Sequence, residues 1–274
     1  MADTTAAPTR PAADGTARPS RALDWVASKW PPLAAVVGLL LAWHAIITVF
    51  EVPTYMAPGP LDVLAAFRDN AAILWTNFWP TFMEATLGFV AGNTVAFLLA
   101  IWFVHSRTAE RAFFPIAVFI NTIPIIAVAP ILVLIFGNGY APKIMIAGLI
   151  CFFPTLVNMV RGLKAVSPEM LDLMRVLSAS NPEIFWKVRI QASLPFLFAA
   201  LKIASTTCVI GAIVAEWIGS NFGLGALIIE ATYNFRSPLL YATVFVAALL
   251  AVILFTLVTL TEARLVRWKT SSPC

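Results

Sequence analysis

Charged side chains are scarce in this sequence. Of its 274 residues only 12% are Asp, Glu, Lys or Arg, while 60% are hydrophobic. A water-soluble domain carries about a quarter charged residues, so much of this chain's surface faces something other than water. Cysteine is equally sparse: Cys151 and Cys208 lie in apolar runs and Cys274 is the last residue. That pattern has neither metal-ligand spacing nor a disulfide framework. With only His44 and His105 as histidines, a histidine-based metal site is excluded, and no cofactor is expected. The phosphate-binding pattern GxxxxGK[ST] is absent, so the chain is not expected to hydrolyse nucleotide or to be an enzyme. An intramembrane enzyme would need a Ser-His, His or Asp pair at depth, and none is present. The first thirty residues, rich in Ala, Thr, Pro and Arg, have no apolar core of the signal-peptide kind. Residues 1–30 read as a disordered tail. Its Arg10, Arg18, Arg21 and Lys29 either rest on anionic lipid headgroups or are simply solvated.

Long apolar runs, by contrast, are plentiful. A membrane-crossing helix needs about 20 apolar residues, and six windows approach or meet this: Leu33 to Phe50, Pro80 to Val104, Phe113 to Phe136, Ile144 to Val160, Leu194 to Ile218 and Leu239 to Leu260. The expected fold is all-α, a polytopic transmembrane bundle of about six spans over residues 31–269, with 270–274 as a short C-terminal tail. Basic residues orient it. With the N-terminus inside, only Arg68, Lys143 and Arg236 of the eighteen Lys and Arg fall outside. Both termini are therefore expected in the cytoplasm, and the net charge of +4 reflects topology, with no need for nucleic acid as a partner. Between the first two windows, Pro60 to Trp75 reads either as an interfacial helix or as a packed connector.

The segment Arg161 to Pro195 is the longest inside loop. Ser167, Pro168 and Glu169 form a helix start with its cap, its N1 proline and a first-turn acid. Met170, Met174 and Leu177 follow on one apolar face. Ser178-Ala179-Ser180-Asn181 then breaks the helix, and Asn181-Pro182-Glu183 starts a second one, with Phe185 and Val188 on a shared face. The pair either packs on the chain's own helix ends or docks another subunit.

This loop resembles the EAA loop of ABC-importer permeases, through Asp172-Leu173-Met174-Arg175-Val176-Leu177-Ser178-Ala179-Ser180 and Ile184 to Pro195. Asp172 takes that motif's acidic position, Ser178 its glycine position, and Val188 and Ile190 its aliphatic positions. Leu173 and Met174 replace its alanines, and Gln191 its proline. Serine in place of glycine leaves open how sharply the chain turns, because glycine reaches positive φ at little cost. The stretches Ala200 to Ala204, Ala215-Glu216-Trp217-Ile218, Gly223-Leu224-Gly225 and Ile123-Pro124 are similar to the nitrate, sulfonate and taurine branch of the same family.

The resemblance implies a permease subunit that works with cytoplasmic ATPase subunits, an external solute-binding protein and a second permease copy in the inner membrane. It implies that Met170, Asp172, Met174, Leu177, Ser178, Ala179 and Ser180 meet the ATPase. Polar residues within the spans, Asn121, Thr122, Asn158, Thr206 and Thr207, either line a translocation pathway or bond neighbouring helices. Glu84 is either an interfacial carboxylate or a pathway group. Lys202 is expected to snorkel. Glu216 is expected near the outer surface, solvated or touching the binding protein, with Trp217 in the aromatic belt. Phrases such as Cys151 to Asn158 and Tyr233-Asn234-Phe235 look more like importers of vitamin precursors, the thiamine pyrimidine moiety or riboflavin, than like sulfonate importers. The rival reading is a self-contained secondary transporter or channel, which needs ionisable groups at mid-membrane.

Overall fold

The computed structural model describes residues 21–266. Residues 1–20, with Arg10 and Arg18, and residues 267–274, with Arg267, Lys269 and Cys274, lie outside the described residues. The first compact unit ends at Glu51 and the second begins at Val52. The described residues of the first form one helix, α1 (Arg21–Val49), whose apolar part Leu33–Val49 holds the first window. It begins at Arg21, within the stretch expected to be tail.

The second unit opens with α2 (Pro60–Asp69), where the Gly59 amide donates to Asp62 Oδ2 at 2.9 Å. Val63 and Ala66 face inward and the helix packs on the last helix of the chain, while Leu61 and Leu64 stay exposed. The connector expected between the first two windows is thus packed and helical. Then come α3 (Ala71–His105), α4 (Arg107–Thr122), α5 (Ile125–Phe136), α6 (Tyr140–Lys164), α7 (Pro168–Val176) and α8 (Asn181–Ile184). A π-helical turn, Phe185–Arg189, joins α8 to α9 (Ile190–Glu216), followed by α10 (Leu224–Tyr233) and α11 (Ser237–Leu265).

Among the described residues, four helices are long and apolar enough to cross a membrane: α3, α6, the run Asn181–Glu216, and α11. They account for the second, fourth, fifth and sixth windows. The helix of the second window, α3, starts nine residues before the expected Pro80, giving 35 residues in all, about 52 Å of rise. The third window is not one straight span: α4 and α5 meet at a 98° bend. Ile123 there has φ −72° and ψ 124°, the extended geometry favoured before a proline. Pro124, lacking an N–H, cannot continue the helix.

In the second unit α6 is central, packed along α3 on one side and α9 on the other. The contact is made close by small residues. A Cβ on Gly92 would overlap the carbonyl oxygen of Gly148, so the two backbones touch. Ala85, Ala96, Ala100, Ala147, Ala204 and Ala212 are buried, whereas Leu98, Ile131, Leu134, Leu249 and Leu257 are exposed. This small-inside, large-outside arrangement is how helices pack in lipid, where no hydrophobic force drives them together and backbone proximity supplies van der Waals attraction. Across the α3–α6 contact Thr155 Oγ1 donates to Asn93 Oδ1 at 2.6 Å, and across the α6–α9 contact Cys151 Sγ donates to Ala204 O at 3.3 Å. Lys202, expected to snorkel, pairs its Nζ with Glu262 Oε2 at 2.5 Å in the last turn of α11, both side chains partly exposed, and so ties α9 to α11.

Candidate functional site

Lys164 ends α6 and Ile190 opens α9 at one end of the second unit, and the intervening loop forms a compact structure there. Ser167 caps α7, its Oγ accepting the Met170 amide at 3.3 Å. Its neighbour Glu169 accepts from its own backbone amide and from the Ser167 hydroxyl, which hold its carboxyl below the usual range. The helix stops in a complete Schellman motif: the Ala179 amide reaches Met174 O and the Ser178 amide reaches Arg175 O, both at 2.9 Å. Ser178, at φ +57°, occupies the left-handed position where glycine is usual. The sharp turn forms with serine in it.

The second helix start differs from expectation by one residue. Ser180, not Asn181, is the cap, because Glu183 Oε2 takes the Ser180 amide at 3.0 Å and its hydroxyl at 2.9 Å. That reciprocal geometry needs the acid three residues after the cap. Nor is the second helix a separate short one. It runs through the π turn into α9 as a continuous 36-residue helix. Phe185 in that turn is buried, its ring 4.8 Å from that of His105 at the end of α3.

No residue of α7 is buried. Met170 is 44% exposed, Leu173 51%, Val176 80% and Leu177 66%, while Met174 and Leu171 are half-buried. The uncovered apolar face therefore centres on Met170, Leu173 and Leu177 and not on Met174. Asp172 is exposed and paired with Arg175 at 2.8 Å. Ser178 and Ser180 are exposed and Ala179 half-buried.

The opposite end holds a buried polar cluster. Glu216, at the end of α9, is only 1% exposed. Its Oε1 accepts from Thr81 Oγ1 at 2.6 Å and its Oε2 from the Gly225 amide at 2.6 Å. The Leu224 amide donates to Thr81 Oγ1 at 2.8 Å and the Gly223 amide to Asn77 Oδ1 at 2.9 Å. Side chains from α3 and α9 thus satisfy the first amides of α10, groups that no intrahelical carbonyl reaches. A carboxylate also suits the positive end of that helix. The surface role expected for Glu216 is not met, because both its oxygens are engaged inside the chain. Trp217, next in sequence, is the exposed one.

Glu84 is fully buried as well, with Lys143 Nζ 3.2 Å from its Oε1 in an ion pair that lacks hydrogen-bond geometry. Lys143 also donates to Ser220 Oγ at 2.6 Å, and Ser220 to Phe222 O at 2.6 Å. Asn138 holds the same loop through Gly219 O. Glu84 is therefore neither a solvated interfacial group nor alone.

The candidate pathway residues are not brought together. Asn121 and Thr122 line a cavity of about 280 Å³ at the α4–α5 break, walled by Leu149, Ile150, Phe152 and Phe153 of α6. Asn158, Thr206 and Thr207 are half-buried elsewhere and bond carbonyls of their own helices. Sequence reasoning missed Asn77, Thr81, Asn93, Lys143 and Thr155. Each is a lone polar residue in or beside an apolar run, and its partner lies far away in the chain, so no local signal marks it.

Residues 92–270 match the family described as binding-protein-dependent transport system inner membrane component. A probable ABC transporter permease protein of Haemophilus influenzae is 34% identical, over 82% of this chain and 91% of that protein. The riboflavin transport system permease protein RibX of Chloroflexus aurantiacus is 32% identical, over 89% and 92%. The formylaminopyrimidine transport permease protein ThiX of Halalkalibacterium halodurans is 30% identical, over 87% and 95%. An inward-facing structure of the MetNI methionine ABC transporter shares the fold, with a TM-score of 0.55 at 22% identity, covering 72% of this chain and 94% of that one. The multi-helical membrane architecture and the extent of these matches agree, and the chain belongs to the binding-protein-dependent transport inner membrane components, as the permease subunit of an ABC importer.

Proposed function

We propose that the α7–α8 loop is the seat of a separate cytoplasmic ATPase subunit and that this chain performs no hydrolysis itself. The observation that carries this reading is the uncovered apolar face of α7, Met170, Leu173 and Leu177, in a loop otherwise rich in charge. Asp172, Met174, Ser178, Ala179 and Ser180 complete the docking surface. A capped helix with a tight C-terminal turn moves as a rigid body. Because α8 continues through the π turn into α9, a push on the loop travels along one helix to the Glu216 cluster at the far end. Two copies of the chain would frame the pathway, with Asn121 and Thr122 at the α4–α5 break among its polar groups. An external binding protein would deliver the solute at the α10 end, where Phe222, Tyr233 and Phe235 are exposed. The relatives named for riboflavin and formylaminopyrimidine support a small heterocyclic vitamin or precursor as that solute.

The test is Leu173→Asp. Burying such a side chain in a partner's cleft is worth roughly 1.5–3 kcal/mol, and an aspartate there adds an unpaired buried charge. Because Leu173 is half exposed in the isolated chain, the permease should still reach the membrane in normal amount. Co-purification of the ATPase and uptake should both fall strongly. Wild-type co-purification and uptake would remove the docking role from α7.

A further inference from the structure

At the α7 end of the second unit, away from α7 itself, an open cavity of about 840 Å³ lies between the ends of α3 and α6 and the start of α4. Arg107, Arg111, Lys164 and Arg189 line it, with Glu110 as the one carboxylate. That carboxylate is engaged: Lys164 Nζ donates to both its oxygens, at 2.5 and 2.6 Å. Among the described residues, Arg107, Arg111 and Arg189 have no ion-pair partner. Arg107 opens α4 and Arg111 follows one turn later, so two guanidinium groups sit at the positive end of a helix dipole. Cations are disfavoured there, and an anion in the cavity would offset the cost.

We infer that this cavity binds the phosphate group of an anionic phospholipid. Arginine forks match phosphate oxygens bidentately. The source is argued from what surrounds the charges. Phe103, Val104, Phe114 and Pro115 share the lining, and Trp102, Phe113 and Ile116 continue beside it as exposed apolar surface on spanning elements. A headgroup phosphate in the cavity leaves its acyl chains along that surface, whereas a free phosphate uses none of it.

The experiment reconstitutes the full chain in phosphatidylcholine vesicles containing a minority of phosphatidylglycerol. The protein is re-extracted in neutral detergent and its retained lipid is measured by mass spectrometry. The double variant R107Q/R111Q is compared with R68Q, a change on α2 outside the cavity, and elution volume and thermal unfolding establish that each is folded. The wild type and R68Q should retain phosphatidylglycerol over phosphatidylcholine, with millimolar inorganic phosphate having no effect. In R107Q/R111Q the preference should drop about fivefold for each arginine removed. An unchanged preference in folded R107Q/R111Q overturns the inference. So does a wild type that retains no phosphatidylglycerol but is thermally shifted by inorganic phosphate, since the ligand would then be a soluble phosphate.

Discussion

Ser178 adopts φ +57° in a turn that closes with both bonds of a Schellman motif. For an L-residue with a Cβ the left-handed region costs roughly 1–2 kcal/mol. Ser178→Gly should therefore raise the stability of the purified chain by about 1 kcal/mol, read as a higher thermal unfolding temperature. A β-branched Ser178→Val should lower it. A Ser178→Gly chain less stable than wild type would mean that the serine hydroxyl holds the turn in some further way. Gly223 is the reverse case. It sits at φ +114° and a Cβ there would overlap the carboxylate of Glu216. Gly223→Ala adds strain of about 1–3 kcal/mol and displaces the groups that receive the first amides of α10. Its folded yield in the membrane should drop, and a normal yield with an unchanged unfolding temperature would show that the loop relaxes freely.

Elements meet here through what their side chains lack. Gly88, Gly92, Ala96 and Ala100 recur every four residues along α3; the glycines lie against Ala147 and Gly148 of α6, and the alanines pack in a cluster with Leu156, Met159 and Leu163. Gly92→Leu should split that seam, separate Asn93 from Thr155, and give a chain that aggregates on size-exclusion chromatography. Gly38→Ala on α1, where nothing stands within 4 Å, should behave as wild type. A monodisperse, stable Gly92→Leu chain would contradict the close packing. The caps of α7 and the long apolar helices were legible in the sequence, because each depends on residues within a few turns of one another; the small-residue stripe was not read there. Pro124 marks in the sequence where a helix cannot continue, but nothing in the neighbouring residues gives the 98° angle between α4 and α5. The partners of Glu216 were not legible. Thr81 is 135 positions away in the chain, and no local rule pairs them. An acidic residue at the end of an apolar run looks the same in sequence whether it meets water or a helix N-terminus.

The second unit is asymmetric in charge from end to end, and that asymmetry predicts how the molecule sits in the membrane. Arg107, Arg111, Arg161, Lys164, Arg175, Lys187 and Arg189 all cluster where α3 and α6 end and α9 begins. The other end of the second unit has Arg68, Lys143 and Arg236, of which Lys143 is buried beside Glu84 and Arg236 bonds Asn70. Basic residues next to spans are retained on the cytoplasmic side, so the α7 end is expected inside and the α10 end outside. Single cysteines at Lys187 and Asn221, both exposed, test this once the native cysteines are replaced. An impermeant thiol reagent added to intact cells should modify Asn221→Cys and spare Lys187→Cys, and permeabilised cells should react at both. Labelling of Lys187→Cys from outside would reverse the orientation. It would also remove the ATPase from α7 and strand the exposed face of that helix on the side where no nucleotide is found.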